Sequence, residues 1–507
     1  MKALIRNVLA DECKKLILRH YEYLDQLHEG AIRGSKRLGF AVRKTIKTPP
    51  YWSLDPRFNP FKTRNKRVLD LCSVTLDKKL KNKSYRPRRA VTYYVEKEDG
   101  TKRELNVFQL PDAAVSRLVY KSLLHKNIAR LSAYAYAYRE DRSAHDAVHA
   151  IQAEWRTLDR VYVAEFDFAK FFDNIDHKYI WRVLDRHGFL CSPEERHVLE
   201  SFLRSESADM ADYVGGQFKT RIRGIPQGTS ISLFLANLTC WELDRALERI
   251  GVGFARYADD TVVWSESYQK VVQAYDAIKR HSEMMEVPIN LEKSAGVSLI
   301  SRKGVGEIST KDAIDFLGYE LGPTSVSIKK GRVQDLKEKI SFIAYQNLIQ
   351  PLTWGIYNAA RLTGIDWDYV VALSQIRRYL YGGLDDEKLR KYIRGQIPRI
   401  NFRGLMSYYP LANDAGQLSN LDGWLIYVLK QSLRKREDMW KTKMAITLPG
   451  PTPNWIDNLT NLKTWTGPGG VTYDLRIPSF SLISKAMRVA ITKSGISAAT
   501  HPASTYY

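Results

Sequence analysis

Two apolar stretches of the chain end in carboxylates. Residues 161–167 (VYVAEFD) form a short apolar run that closes on Asp167, and residues 252–265 (VGFARYADDTVVWS) place Asp259 and Asp260 between two further apolar runs. Short apolar runs bounded by turn residues are typical of buried strands. The pattern predicts strands whose ends bring the two acidic sites, 92 residues apart in sequence, to one edge of a sheet.

Helical patterns around these strands indicate an α+β fold. The sequence predicts a hairpin over 91–108 around Asp99-Gly100, helices over 112–131, 231–249 and 267–285, and a helix that begins after Ser192. After about residue 330 the pattern is mainly helical, and residues 445–480 are predicted to be irregular or short-stranded. Strands and helices that alternate in this way predict a sheet backed by helices.

The charge balance indicates a polyanionic partner. The 507 residues include 78 Lys and Arg against 56 Asp and Glu, a net charge of +22, which favours nucleic acid first and an anionic membrane second. Residues 56–89 are especially basic, and this stretch is either a solvated loop or a lobe that contacts phosphates. The chain has no run of 18 apolar residues, no secretory pattern at its start and four widely spaced cysteines, so we expect a reduced, cytoplasmic protein.

The acidic sites admit two interpretations. Asp is common at strand ends and turns, and each site alone fits that role. Carboxylates that converge repel one another unless cations neutralise them, and Mg²⁺ accepts one or two carboxylates while it keeps water and phosphate ligands. Two such ions, roughly 3.5–4 Å apart, stabilise the attacking and leaving oxygens of a phosphoryl displacement. The joint interpretation is in-line nucleotidyl transfer with two Mg²⁺ ions, for which Mn²⁺ is an alternative.

A series of motifs resembles the reverse transcriptases in order along the chain. Phe254–Trp264 contains the Y-A-D-D box of that family, Phe166–His177 resembles its first carboxylate motif, and Arg223–Asn237 resembles its P-Q-G motif. Four further segments match: GTKRELNV (100–107), YAYREDRSAHDAV (136–148), NLEKS (290–294) and FLGY (316–319). The resemblance covers about residues 90–325 and is to the group II intron-like and retron-like bacterial enzymes.

This resemblance implies a right-hand polymerase of the α+β class, with an antiparallel palm sheet backed by helices and a helical thumb. The implied divisions are a basic N-terminal extension at 1–90, fingers at 91–160, a palm at 161–325, a thumb at 326–440, and a C-terminal extension with a flexible tail at 441–507.

Roles for single residues follow from the matched motif positions. Asp167, Asp259 and Asp260 are implied to be catalytic metal ligands, with the carbonyl of Phe168 completing one metal shell. Nucleotide-binding roles are implied for Lys102, Arg103, Phe172, Gln227, Gly228 and Lys293. Primer or template contacts are implied for Arg139, Arg142, Tyr257, Leu317 and Gly318.

Several of these positions have a plain structural alternative. Phe172 matches the steric gate that excludes a 2′-hydroxyl and favours deoxynucleotides, but alone it could be a core phenylalanine. Lys293 is either a proton donor to the leaving pyrophosphate or a surface lysine. Ser232-Leu233 stands where the family commonly has Ser-Pro, which leaves the path of the template strand open.

The segment 407–436 resembles the thumb side of bacterial stand-alone enzymes of the "unknown group", several of which act in antiphage defence. The resemblance thus implies an RNA-directed DNA polymerase that takes dNTPs, makes DNA and uses an associated noncoding RNA as template or scaffold, with no membrane partner. A homo-oligomer is compatible with this. An intron maturase-like RNA-folding protein, template-independent homopolymer synthesis and an RNA-dependent RNA polymerase stay open as alternatives.

The primer is also open. The hydroxyl of Tyr506 or Tyr507, on a tail predicted to be mobile, could start the DNA chain, as in some abortive-infection relatives. An inert tail is the simpler alternative.

Overall fold

The computed structural model describes residues 1–96, 100–292, 294, 296–301, 310–467 and 470–502. Its N-terminal region is helical and leads into a hairpin. The elements are α1 (Lys2–Leu38), α2 (Pro60–Thr63), α3 (Lys66–Lys81), β1 (Ala90–Glu96), β2 (Lys102–Val107) and α4 (Leu110–Asn127).

Much of the basic stretch 56–89 is helical, which corrects the solvated-loop interpretation. Asn65 caps α3 by accepting a hydrogen bond from the backbone of Arg67. The buried residues Leu69, Leu76 and Leu80 follow at helical spacing. This apolar stripe packs α3 against α1 and leaves the lysines on the outer face.

The central region alternates strands and helices. Its elements are α5 (Ala144–Trp155), β3 (Arg160–Phe166), α6 (Phe171–Asn174), α7 (His177–Arg186), α8 (Pro193–Leu203), β4 (Glu206–Ala208), β5 (Lys219–Thr220), α9 (Ser230–Thr239), α10 (Trp241–Ile250), β6 (Gly253–Tyr257), β7 (Asp260–Ser265), α11 (Tyr268–Met285), β8 (Val297–Ser301), β9 (Ile314–Phe316), β10 (Tyr319–Leu321) and β11 (Val326–Ile328). The helix predicted over 231–249 is wrong as a single element, because the chain turns at Cys240 between α9 and α10.

One antiparallel sheet, in the order β6-β7-β3-β8, forms the centre of the molecule. Alternate residues of each strand face opposite sides, and both sides are buried. Val163 and Val262 face one apolar cluster, whereas Phe166 and Val263 face another that includes α4 and α7 to α11. Burial on both faces explains why these strands are continuous apolar runs in the sequence.

The C-terminal region is mainly helical, as predicted. Its elements are α12 (Lys330–Ala344), α13 (Gln350–Thr353), α14 (Trp367–Tyr381), α15 (Asp386–Ile393), α16 (Ala415–Met444), β12 (Thr464–Thr466), β13 (Thr472–Asp474) and α17 (Phe480–Ser494). The predicted short-stranded character of 445–480 is confirmed by the β12–β13 hairpin. The α+β class is confirmed, and none of the helices among the described residues is long and apolar enough to cross a membrane.

Candidate active site

The two acidic sites meet at the end of the central sheet. β3 and β7 are antiparallel, and their register pairs Phe166 with Thr261. Asp167 follows Phe166 directly and Asp260 precedes Thr261, so both carboxylates belong to this end of the ladder. Opposed residues in such a ladder have Cα atoms roughly 4.5–5.5 Å apart. The register therefore brings the ends of β3 and β7 that carry the acidic residues to one edge of the sheet, and the shared site that was predicted for them stays a prediction.

The third carboxylate, Asp259, belongs to the turn itself. β6 and β7 pair Tyr257 with Asp260, so the hairpin turns through Ala258 and Asp259. Ala258 takes a left-handed conformation with φ 62°, which two-residue hairpin turns require. All three aspartates are half-buried.

The donor chemistry fits a hard divalent cation only in part. Two adjacent carboxylates match what Mg²⁺ takes from a protein. The carbonyl of Phe168 was predicted to complete one metal shell. The two hydrogen bonds of the bridge between Phe168 and Ile289 use the Asp167 carbonyl and the Ala169 amide, so this bridge does not engage the Phe168 carbonyl. Within the described residues, however, no group of three or more His, Cys, Asp or Glu side chains converges as a metal site. The predicted gathering of all three aspartates around metal stays a prediction.

The segment after α11 fixes Asp167 in place. The side-chain amide of Asn290 donates to Oδ2 of Asp167 at 3.2 Å, and the Asn290 backbone N–H donates to the Asp167 carbonyl at 2.8 Å. The Asp167 amide donates to the Ser294 hydroxyl at 3.3 Å. The sequence motif in this segment pointed to Lys293, which lies outside the described residues, and gave no role to Asn290 or Ser294.

A buried ion pair stabilises the turn between β6 and β7. Arg256 is fully buried and forms a bidentate pair with Asp244 at 2.6–2.7 Å. Burial by itself would lower the pKa of Arg256, but the Asp244 carboxylate outweighs that effect and raises the pKa, so the guanidinium stays charged. Its Nη1 also donates to the Ala258 carbonyl at 3.0 Å. No motif predicted this pair, although a charged residue inside an apolar strand is a signal for a buried partner.

The P-Q-G loop joins the β1–β2 hairpin to the first carboxylate motif. The Gln227 carbonyl accepts from the Asn106 amide at 2.7 Å, and its side chain donates to Asp173 at 3.2 Å. Gly228 has φ 114°, and a Cβ there would lie 2.6 Å from the Asn106 carbonyl. Only glycine fits such an approach. The loop thus brings three matched segments together.

Phe172 lies beside this loop and is half-buried. Its ring packs edge-on against the buried Phe171 at 5.6 Å, and its carbonyl accepts from the Ile225 amide at 2.7 Å. One part of the ring therefore belongs to the core and the rest is accessible. The steric-gate role stays a prediction.

Lys102 and Arg103 are exposed on β2. Their strand pairs with β1, where Arg103 lies opposite Val95 and Lys102 opposite Glu96. The hairpin predicted here is confirmed, with Gly100 at φ 75° in the turn. The triphosphate role of these cations stays a prediction.

The two arginines predicted to contact the template are engaged within the protein. Arg139 is 5% exposed, pairs with Asp141 and donates to the Ser132 carbonyl at 2.6 Å. Arg142 is half-buried, with its guanidinium 5.5 Å from the centre of the Tyr136 ring. These contacts favour a structural role for Arg139, in contrast to the predicted phosphate contact. Asp146 forms a capping box with Ser143 at the start of α5.

The predicted primer-grip residues form a tight turn. Leu317 and Gly318 have φ 50° and 82° between β9 and β10, the two positive values of a type I′ hairpin. The Gly318 carbonyl accepts from the Lys329 amide at 3.1 Å, and a Cβ on Gly318 would meet Tyr409 at 3.5 Å. This turn therefore lies against Lys329, which precedes α12, and against Tyr409.

The C-terminal segment lies next to the Y-A-D-D hairpin. A cavity of about 580 Å³ is lined by Tyr257 and Arg142 on one side and by Ile491, Ser497 and Thr500 on the other. Further along, the His501 ring stacks on Tyr408 with centroids 4.4 Å apart. Residues 494–502 are thus anchored, contrary to the predicted mobile tail. Tyr506 and Tyr507 lie outside the described residues.

Comparison with known families agrees with this geometry. Residues 95–321 match the family model of the reverse transcriptase (RNA-dependent DNA polymerase). This part of the chain is similar to a reverse transcriptase domain. The predicted resemblance to reverse transcriptases is confirmed over these residues.

Two curated relatives resemble parts of the chain. Protein YkfC of Escherichia coli (strain K12) is 26% identical over 190 residues, which are 37% of this chain and 48% of that protein. The group II intron-encoded protein LtrA of Lactococcus lactis subsp. cremoris is 25% identical over 222 residues, which are 43% of this chain and 33% of that protein. The chain therefore spans less than half the length of these relatives.

Two solved structures of telomerase also resemble the chain weakly. The Candida albicans enzyme has a TM-score of 0.40 at 13% identity, covering 78% of this chain and 69% of that one. The Candida tropicalis enzyme has a TM-score of 0.37 at 13% identity, covering 82% and 76%. Because these TM-scores are low, the α+β assignment is based on the helices and strands of the protein itself.

Proposed function

We propose that this chain is an RNA-directed DNA polymerase that adds deoxynucleotides to a 3′-hydroxyl. The observation that supports the proposal is the register that pairs Phe166 with Thr261, the neighbours of Asp167 and Asp260, within the residues that match the reverse transcriptase family model. The bacterial antiphage role and the cytoplasmic location belong to the same proposal and are supported by the resemblance of 407–436 and by the four free cysteines.

Each residue of the site would have a distinct role in the reaction. Divalent ions bound by Asp167, Asp259 and Asp260 would activate the attacking hydroxyl and neutralise the triphosphate. Asn290 holds the Asp167 carboxylate, and Arg256 holds the turn that presents Asp259. Arg103 would bind the triphosphate oxygens through its planar guanidinium. Phe172 would press against the sugar and exclude a 2′-hydroxyl.

Primer extension tests the proposal. The purified protein is given a primer on an RNA template, with Mg²⁺ and either dNTPs or NTPs. We expect extension with dNTPs only. We also expect the extension rate to fall at least a hundredfold in Asp259→Asn, because this variant lacks one charged ligand at the reacting centre. Extension with NTPs alone would favour RNA synthesis. Extension by Asp259→Asn at the wild-type rate would refute the proposed site.

The template is proposed to be a dedicated noncoding RNA, and sequencing the RNA and DNA that copurify with the protein tests this. One recurrent RNA with complementary DNA supports it, whereas a homopolymer DNA with no complementary RNA favours template-independent synthesis.

For the defence role, we expect phage plating on cells carrying Asp259→Asn to match that on cells without the gene. Full protection by that variant with RNA binding retained would favour the maturase-like alternative.

A second candidate is priming by the protein itself. Ser497 and Thr500 line a cavity together with Tyr257, the adjoining His501 stacks on Tyr408, and Tyr506 follows His501 by five residues. A five-residue extended chain reaches roughly 17 Å. This candidate is supported if DNA stays linked to the wild-type protein after phenol extraction but is not linked to the Tyr506→Phe/Tyr507→Phe variant. Linkage that persists in the double variant excludes these tyrosines.

A further inference from the structure

Positive charge is concentrated outside the matched reverse transcriptase domain. Residues 1–90 contain 23 Lys and Arg and 8 Asp and Glu, so this segment carries 23 − 8 = +15 of the net +22. Repulsion among so many like charges destabilises the folded state. The excess indicates a polyanion bound by the N-terminal segment itself.

Aromatic side chains of α1 and the following loop form a cluster within this segment. His20 lies 5.3 Å from Trp52 and 5.7 Å from Phe61, measured between ring centroids. Tyr21 lies 5.8 Å from Phe61 in an edge-on contact. Trp52 is buried beneath these rings, whereas Tyr21 is 46% exposed and His20 and Phe61 are half-buried. The cluster therefore combines one buried ring with three rings that are at least partly accessible to solvent.

Cations flank the open rings. The Arg64 guanidinium lies 5.9 Å from the Phe61 ring centre, and Lys62 is exposed next to Phe61. Arg19 is exposed on α1, one turn before Tyr23. In the part of the chain that the structure describes, no carboxylate forms an ion pair with Arg19, Lys62 or Arg64. These charges are therefore available to a ligand.

We propose that this aromatic–basic surface (residues 19–23, 52 and 61–64) binds single-stranded RNA. The inference rests on the proposed function, which supplies the RNA, and adds a docking site that contains none of the active-site residues. Exposed rings stack on unpaired bases of any sequence, and lysine and arginine beside them bind the phosphates. Paired bases in a duplex offer no free faces, so the surface discriminates against A-form RNA.

Binding of a labelled 20-nucleotide unstructured RNA tests the surface. The charge variant is Arg19→Glu/Lys62→Glu/Arg64→Glu, and its matched control reverses three exposed cations of the palm helices, Lys178→Glu/Lys279→Glu/Arg280→Glu. We expect at least a tenfold loss of affinity in the charge variant alone. Its log–log salt slope should fall by about 0.7 for each phosphate that the variant no longer neutralises.

The stacking part of the surface has its own test. Tyr21→Ala should weaken binding about fivefold or more with an unchanged salt slope, because base stacking is worth about 1–3 kcal/mol. Tyr21→Phe, which keeps the ring, should bind like the wild type. Equal reductions of affinity in the charge variant and its control, or tighter binding of a 20-base-pair RNA duplex than of the single strand, would overturn the inference.

Extension of a preformed primer–template at saturating protein separates this inference from the proposed function. We expect the surface variants to extend like the wild type. If the wild type extends nothing but the surface variants still bind RNA more weakly than it does, the polymerase proposal fails and the docking site stands. If the surface variants bind RNA normally, the docking site fails whatever the extension result.

Discussion

At the scale of single residues, most of the site was accessible from the sequence because the motifs name the residues directly. Asp167 and the 259–260 pair lie at paired strand ends, and their common role stays a prediction. What motif positions cannot reveal is the set of side chains that hold these residues. Asn290, Arg256 and Asp244 act through contacts between segments distant in sequence, and such contacts depend on tertiary packing.

Phe172 allows a test of sugar selection at this scale. Phe172→Ala removes the ring proposed to exclude the 2′-hydroxyl, so the ratio of NTP to dNTP incorporation should rise at least tenfold. The ring also packs on Phe171, and the removal of part-buried aromatic area should lower the melting temperature. Single-nucleotide incorporation with each substrate measures the ratio. An unchanged ratio would assign Phe172 to the core alone.

Asp112 allows a test of pH dependence. Burial raises the pKa of this carboxyl to about 6, although the Tyr85 hydroxyl and the Arg88 amide donate to it at 2.7 and 3.1 Å. In the unfolded chain the pKa is about 3.9. The folded state therefore binds the proton more tightly, and this stabilisation, complete below about pH 4, is lost as the pH rises through 6.

Asp112→Asn keeps an oxygen acceptor but cannot ionise. Relative to the wild type, its free energy of unfolding should rise by roughly 2–3 kcal/mol between pH 4 and pH 7. Thermal unfolding of both proteins across this range measures the difference. A difference that does not change with pH would show that Asp112 titrates normally.

At the scale of elements, apolar periodicity predicted strands β1 to β3, β6 and β7 and helices α4, α8 and α11, but not β4, β5, β8 to β11, α5 or α7. Two further failures are informative. The apolar run 231–249 has no breaker residue, yet it divides at Cys240, and α10 carries Asp244 to Arg256. The helix α1 was not predicted, because its exposed face is strongly charged and its apolar stripe narrow. Packing against α3 and α4 decides its structure.

The Arg256–Asp244 pair is the test at this scale. Arg256→Met leaves Asp244 buried without its partner, which should cost roughly 3–5 kcal/mol. Arg256→Met/Asp244→Leu should recover most of that stability, since a buried pair replaced by apolar residues is often neutral. The double variant should still extend primers poorly, because the Ala258 carbonyl no longer has its donor. Thermal unfolding and extension together decide this, and wild-type extension by the double variant would contradict it.

At the scale of the whole molecule, the predicted divisions at residues 160, 325 and 440 stay predictions. One apolar cluster runs from Tyr136 through Val163 and Leu425 to Met487 and so crosses these positions. The helix α1 adds a second connection. It packs on α3 and α4, while Arg37 donates to Asn347 at 3.2 Å and Glu29 pairs with Arg378 at 2.8 Å.

These interactions of α1 should hold the thumb-side helices near the fingers. Glu29→Ala/Arg37→Ala removes them without touching the active site, so each binding event should yield shorter products while addition of a single nucleotide is unchanged. Extension in the presence of an excess trap RNA measures product length. Lys36→Ala, an exposed neighbour on α1, is the control. Equal product lengths in all three proteins would mean that α1 does not restrain the thumb.

The central claim is that Asp167 and the 259–260 turn share divalent metal. Electron paramagnetic resonance of Mn²⁺ bound to the protein with a dNTP measures this without any need for turnover. We expect the wild type to bind Mn²⁺, and both Asp167→Asn and Asp259→Asn to weaken it at least tenfold while their melting temperatures stay within a few degrees of the wild type. Undiminished Mn²⁺ binding in both variants would contradict the account.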